Sequence, residues 1–521
     1  MVNTQAAHPN IILWMVDQLS AKWLELALKN NICPLPNFQR LQQEGVRFSN
    51  TITSNPVCCP ARSTIATGLT SRGHGVLENG YGLSPALPTF MKQLQKAGYK
   101  TSAFGKLHFV PHAAGFDVDY HAYGFDVAHI TEDSRGGEWL DWVKQAYPEY
   151  YEAALCTIWA DYLPAFHSYG PEQQDLGARI RALQKDWDWG QREHPENSFR
   201  AYTLPFPKEV SQTEWITEQA LAFLAQHHIQ QPFFAQISYV QPHNPYCAPA
   251  EYLDLVDEAH IPPPVAAEWH TDPHTPAYFK RQQEFHLPND AYGRKCYFAD
   301  LVHLDEQLGK LRNFLQQTGL EQSTYLLFTS DHGDLLGDHG FYFKEERHYD
   351  ACIRVPLVLC GPDFTPGVVC DELAQLEDIY PTILDLAGAQ PAPLPFFGPY
   401  LKLSSADTGI THGTSLVPLC QGVPMSLRQA AYVESYNAIW SFEYTDWART
   451  IRTKRYRYTY YAGNSGEQLF DLICDPDEQN NLAADPSFQS IKQQLKDELL
   501  EQIIRQDWPK TPQNLYFLGM H

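Results

Sequence analysis

No run of about 18 or more consecutive apolar residues occurs in this 521-residue chain, which excludes a membrane-spanning helix. Basic residues are outnumbered: 38 Lys and Arg stand against 61 Asp and Glu, a formal net charge of -23. So acidic a chain offers no broad basic face to nucleic acid. A small anionic substrate remains admissible, because a few local cations and a metal ion override the global field. The 11 cysteines are odd in number and irregular in spacing, so no disulfide framework is expected. Met1–Pro9 has no basic n-region, and the apolar run Ile11–Val16 after it is short. This start reads as a buried strand rather than a signal peptide, and a cytoplasmic protein is expected. Internal repeats and low-complexity tracts are also missing.

What is present is globular in composition: 44% apolar and 13% aromatic, with 12 Trp and 29 Tyr. The length suits one large domain and a smaller one. Asn10–Val16 reads as a nearly continuous apolar strand ending in Asp17-Gln18. Lys100–Phe104 is a strand ending in Gly105-Lys106-Leu107-His108. Phe233–Tyr239 ends near His243, and Tyr325–Thr329 ends at Asp331-His332. Helices are expected over Pro36–Glu44, with Phe38 and Leu41 on one side, and over Leu87–Ala97. Four strands that each run into polar residues at their carboxyl ends indicate an α/β fold with a parallel sheet, and that edge is where ligands sit.

Residues 124–207 are rich in Trp, Tyr, Asp and Gln and lack long apolar strands, so they read as an insertion on the substrate side. Their tryptophans, Trp139, Trp142, Trp159, Trp187 and Trp189, suit core packing for the most part; stacking on a sugar or aryl group, or caging a quaternary ammonium, is the alternative. Asp257–Pro288 reads as a long loop whose His260, His270, His274 and His286 lack metal-ligand spacing. A linker is expected after Gly388, dividing a catalytic domain over 1–388 from a smaller one over 389–521. In the latter, Ala430–Glu434, Arg449–Arg452 and Arg457–Tyr461 read as strands, and Ser487–Arg505 as a closing helix with Ser487 as its N-cap. The aromatic tail Trp508–His521 is a candidate contact in a homo-oligomer.

The most informative stretch is Cys58-Cys59-Pro60-Ala61-Arg62-Ser63-Thr64-Ile65-Ala66-Thr67-Gly68. A helix starting near Ser63–Ile65 would point its N-terminus back at Cys58, and a helix N-terminus beside an arginine favours anions. A lone cysteine before a helix is ordinarily an inert small hydrophobe; this company makes it a chemical candidate.

The string resembles the signature of the formylglycine-dependent (type I) sulfatases of the alkaline phosphatase superfamily: Cys-x-Pro-Ser-Arg, four residues, then Thr-Gly. Cys58, Pro60, Arg62, Thr67 and Gly68 match, and Ala61 stands where serine is commoner. Ser330-Asp331-His332-Gly333-Asp334 resembles the family's second metal half-site. Asp17-Gln18 resembles its first, in the form found in the choline sulfatase and phosphonate monoester hydrolase branches. Ala351-Cys352-Ile353-Arg354-Val355-Pro356-Leu357, Asp378-Ile379-Tyr380-Pro381-Thr382 and Leu469-Phe470-Asp471-Leu472 resemble further family segments.

The resemblance implies an alkaline-phosphatase-like fold: a large mixed, mostly parallel sheet sandwiched by helices, with a smaller C-terminal α+β domain. It implies that a formylglycine-generating enzyme converts Cys58 to an aldehyde whose hydrate attacks sulfur. It implies one divalent metal at Asp17, Gln18, Cys58, Asp331 and His332, calcium or manganese, with magnesium also open. Arg62, Lys106, His108, His243 and Lys344 would hold the transferring group. His243 or Lys344 would protonate the leaving alcohol, and His108 would take the proton that releases sulfate. Asn79 is a further candidate for substrate contact. The expected activity is hydrolysis of a small anionic sulfate monoester. The alternatives are a phosphonate monoester or phosphodiester hydrolase using the same site, and a non-catalytic binding protein of sulfatase fold.

Overall fold

The computed structural model describes residues 8–188, 201–227, 231–281, 290–344, 346–392, 411–437 and 446–506. Asn10–Val16 forms a strand in which every residue is buried. Ile12, Trp14 and Val16 join the apolar layer on one face, and Ile11, Leu13 and Met15 the layer on the other. A strand covered on both faces needs apolar residues at every position, which explains a continuous run rather than alternation.

This strand sits inside an eight-stranded sheet whose order is Val368–Gln375, Val46–Ile52, Arg354–Cys360, Thr324–Ser330, Asn10–Val16, Phe233–Ser238, Lys100–Gly105, Val127–Ile130. Only Arg354–Cys360 runs against its neighbours. The mixed, mostly parallel sheet expected from sequence is therefore present. In register, Val16 pairs with Ser330, Met15 with Ser238, and Gly105 with Ser238. Four strand ends thus finish level, and the residues that follow them meet at one edge. Gly105 makes its turn with φ +91, packed so closely against the Ser238 carbonyl that no side chain fits there.

The helix Pro36–Glu44 forms as expected, with Pro36 at its first turn and Phe38 and Leu41 buried. The helix expected from Leu87 begins only at Phe90, because the Thr89 hydroxyl accepts the Lys92 N–H and caps it there. Within 124–207, Val127–Ile130 extends the main sheet as its edge strand, and short helices make up most of the rest. Trp139 is fully buried in the core, Trp142 and Trp159 pack partly against it, and Trp187 lies edge-on to Tyr202; Trp189 lies outside the described residues. Between 257 and 281 the chain forms short helical turns at Glu258–His260, Glu268–His270 and Ala277–Arg281. His260, His270 and His274 are exposed, and His286 lies outside the described residues.

A second sheet, Ala431–Ser435, Ala448–Arg452, Tyr456–Tyr461 and Gly466–Asp471, is an antiparallel meander. One face packs Tyr432, Ile451, Tyr458 and Leu469 on Leu495 and Leu499 of the helix Gln489–Arg505. The other face meets Tyr349 and Ile353 of the main body. Ser487 is not the N-cap of that helix. Pro486 opens a short 3-10 turn capped by Asp485, which accepts the Ser487 N–H, and the helix follows from Gln489 with Phe488 as its N-cap and no side-chain cap bond. The end of the expected linker, from Pro393, and the tail Trp508–His521 lie outside the described residues. Among the described residues no helix is long and apolar enough to cross a membrane.

Asp378 ties the segment before the second sheet to the main body. Its buried carboxylate takes two 2.6 Å bonds from Arg428 and the N–H groups of Gln375 and Thr414 at 2.8 Å. Asp378→Ala strands the guanidinium, so it should cost about 3–5 kcal/mol in denaturant unfolding; an unchanged midpoint would contradict this role.

Candidate active site

The helix expected near Ser63 begins five residues earlier: it spans Cys58–Thr67, and all ten residues are buried. Pro60 is tolerated because a first-turn residue needs no intrahelical N–H bond. The cap comes from outside the helix, since Asn79 Oδ1 accepts the Cys59 N–H at 2.9 Å. Asn79, expected on the substrate side, thus fixes the end of the helix that presents Cys58. Cys58 and Arg62 are four residues apart, so their side chains leave the same face of the helix.

Cys58 Sγ lies 3.1 Å from His332 Nε2 and 3.9 Å from Asp17 Oδ1. One donor atom each from Asp17, Cys58, Asp331 and His332 falls within 4.8 Å of the others, and all four residues are buried. The His332 ring presents Nε2 to this cluster because Nδ1 faces the Gly333 carbonyl at 3.0 Å. Burial lowers its pKa to about 4, so the ring is neutral, as a metal ligand must be. Gln18, at φ +63, turns its amide oxygen toward Lys344 Nζ (3.1 Å) and its amide nitrogen to Asp334 Oδ2 (2.6 Å). Two carboxylates, a neutral imidazole and a nearby amide oxygen fit a divalent cation.

Arg62, expected on the transferring group, places four of its five N–H donors on protein acceptors. Nε reaches Asp331 Oδ2 at 2.7 Å and one terminal nitrogen reaches Asp17 Oδ2 at 3.2 Å. The other bonds the Lys106 carbonyl at 2.7 Å and Ser238 Oγ at 2.9 Å. Burial alone would push Asp17 up; the charges of Lys106, Arg62 and Lys344 outweigh it and hold the carboxyl well below the usual range. Burial, with Asp17 as the next contributor, pushes the Cys58 thiol up to about 12, so it is protonated at neutral pH. As a plain cysteine it is a poor nucleophile.

The other candidate cations converge on the same place. Lys106 Nζ is 2.6 Å from Asp17 Oδ2. Lys344 Nζ is 2.9 Å from Cys58 Sγ and 3.2 Å from both His243 Nε2 and His332 Nε2. Burial, reinforced by Lys344, lowers the His243 pKa to about 3. His108, at φ +47, packs against His112 with the rings tilted by 45° and their centroids 4.1 Å apart. Burial and His112 drive its pKa well down, and its buried Nδ1 has no hydrogen-bond partner.

Sequence reasoning passed over Asp133, His112 and Asp334. Asp334 orients Gln18 and is itself held by the Tyr246 hydroxyl and the N–H groups of Leu336 and Phe343. Asp133 follows the carboxyl end of the edge strand, so the strand-end rule that found Asp17 could have found it.

The sulfatase family profile matches residues 9–389, and that of the C-terminal part of N-sulphoglucosamine sulphohydrolase matches residues 337–506. The chain belongs to the sulfatase family. Among sulfatase relatives, a choline-sulfatase of Rhizobium meliloti (strain 1021) is 31% identical over 92% of this chain and 83% of its own length. An arylsulfatase of Clostridium perfringens (strain 13 / Type A) is 26% identical over 95% and 94%. The phosphonate monoester hydrolase of Silicibacter pomeroyi shares the fold, with a TM-score of 0.75 at 23% identity over 96% of both chains.

In this sulfatase site Arg62→Lys keeps the charge but loses the fork that joins two carboxylates. It should cost about 3 kcal/mol or more, read as an earlier thermal unfolding transition. The pH dependence has a defined sign. Because the folded-state pKa of Asp17 lies below its unfolded value of about 3.9, its stabilisation of the metal-free protein is complete above pH ~4. It is lost as pH falls through the folded value. A stability profile flat from pH 5 down to pH 2 would contradict that assignment.

Proposed function

We propose that this sulfatase-family enzyme hydrolyses a sulfate monoester at the S–O bond, with Cys58 converted to formylglycine by a maturing enzyme and one divalent metal held by Asp17, Gln18, Asp331 and His332. The observation that carries this reading is the position of Cys58 Sγ, 3.1 Å from His332 Nε2 and 2.9 Å from Lys344 Nζ. When bound, the metal supplies charge to acidify a nucleophile and offset the transferring group. The aldehyde hydrate supplies an oxygen nucleophile that a thiol with a pKa raised to about 12 does not offer.

The chain's own residues do the rest. Arg62 is a positioning residue: it keeps Asp17 and Asp331 ionised and side by side. Lys106 and Lys344 bind the equatorial oxygens of the ester, in a buried site where their charge is little screened. Lys344 Nζ donates the proton to the leaving oxygen. The His243 ring, neutral and already accepting from Lys344, keeps that ammonium aimed at the reaction centre. His108 Nδ1 accepts the proton that accompanies sulfate release.

The imidazole of His332 inclines the donor set toward manganese, while the carboxylates and amide keep calcium and magnesium in contention. A second reading, phosphonate monoester or phosphodiester hydrolysis, is favoured by the Asp17-Gln18 pair at the head of the metal site. Comparing kcat/KM on an aryl sulfate with that on an aryl phosphonate monoester separates the two.

Protein matured in a host with the converting enzyme should show a loss of about 18 Da on the Cys58 peptide by mass spectrometry. Cys58→Ala should abolish turnover with an unchanged melting profile; retained activity would sink the aldehyde mechanism. Chelation should remove activity, and added divalent metal should restore it.

A further inference from the structure

Asp133 lies where the cationic cluster meets the aromatic-rich segment, and it is only 6% exposed. Its Oδ1 is 2.9 Å from His112 Nε2 and 3.3 Å from Lys106 Nζ, and its Oδ2 is 3.9 Å from His243 Nε2. Trp159 Nε1 donates to its backbone carbonyl at 2.8 Å, which fixes the residue in place. One buried carboxylate thus touches two groups of the ester-binding cluster, and also His112, the ring packed against His108. His112 and Lys106 outweigh burial and keep it ionised. Its neighbour Glu132 is different: burial pushes that carboxyl up, and its Oε1 is occupied by the N–H groups of Leu107 and His108.

A fixed negative charge inside an anion site weakens every anion, but not equally. Sulfate monoesters, phosphonate monoesters and phosphodiesters carry one negative charge. A phosphate monoester has the same tetrahedral shape and carries nearly two above its second pKa of about 6. Shape cannot separate them; charge can.

We propose that Asp133 is a specificity-determining residue that restricts this site to singly charged esters. It offsets the positive charge of Lys106 and His112 beside it and repels the second charge of a dianion. The inference rests on the ester-hydrolase reading above and adds the charge class of the substrate. The spacing of His108, His112, Glu132 and Asp133 also resembles a cation site. Lys106 and His112 already pair with Asp133, however, so its charge is spent on the protein's own cations.

The test compares an aryl phosphate with the matching aryl sulfate and aryl phosphonate monoester at pH 8. In Asp133→Asn the kcat/KM for the dianion, relative to the monoanion the enzyme turns over, should rise about tenfold or more. Asp133→Glu, which keeps the charge, should leave the ratio near that of the unsubstituted enzyme. Asp133→Ser is a second neutral variant should the asparagine fail to fold. An unchanged ratio in folded neutral variants overturns the proposal. Turnover of the phosphonate without the sulfate defeats the sulfatase reading but leaves the charge test intact; turnover of neither monoanion defeats both.

Discussion

The ligand edge depends on one buried guanidinium. Two carboxylates set side by side in a protein interior repel, and burial would protonate one of them. Arg62 removes that problem by bridging Asp17 and Asp331, which end two adjacent parallel strands. The same bridge fixes the helix that carries it. With Arg62 locked, Cys58 one turn earlier faces the cluster Arg62 organises. The ion pair is worth less as a stabiliser than as a register device, because replacing buried ion pairs with apolar groups is often neutral. Here no apolar group would leave two ionised carboxylates for a cation.

The smaller sheet contributes through a loop. Lys344 arrives on a segment with no regular structure, yet its Nζ lies 2.9 Å from Cys58 Sγ. Arg347 donates two hydrogen bonds to the Lys344 carbonyl. Tyr461 of the second sheet donates to the Glu346 carbonyl, and the His348 ring lies between Ser435 and Thr450 of that sheet. In the proposed mechanism, ordering the lysine in advance spares the substrate that entropic cost. Residues 87 to 115 positions downstream of their partners thereby hold the segment that carries Lys344.

Much of this was readable from local pattern. Continuous apolar runs gave the central strands, and the polar residues after them gave the ligand edge, because a strand buried on both faces has a simple signature. The errors were at boundaries decided by a side chain from elsewhere or by a competing cap. Asn79 lets the Cys58 helix start earlier than its own residues suggest, Thr89 starts another helix later, and a 3-10 turn capped by Asp485 takes the place of the start expected at Ser487. Arg62 was legible as a site residue but not as a bridge, since its partners are 45 and 269 positions away. Asp133 and His112 carry no motif of their own, and only packing brings them beside Lys106.

The sequence alone determined the family and the fold class and singled out Cys58 as the candidate nucleophile, because motif spacing and apolar periodicity are properties of the chain itself. Tertiary structure alone decided the charge arrangement: which cation pairs with which carboxylate, how Lys344 is pinned, and where Asp133 stands. Electrostatic interactions fall off over a few ångströms in a buried site, so they depend on distances that only the folded chain defines.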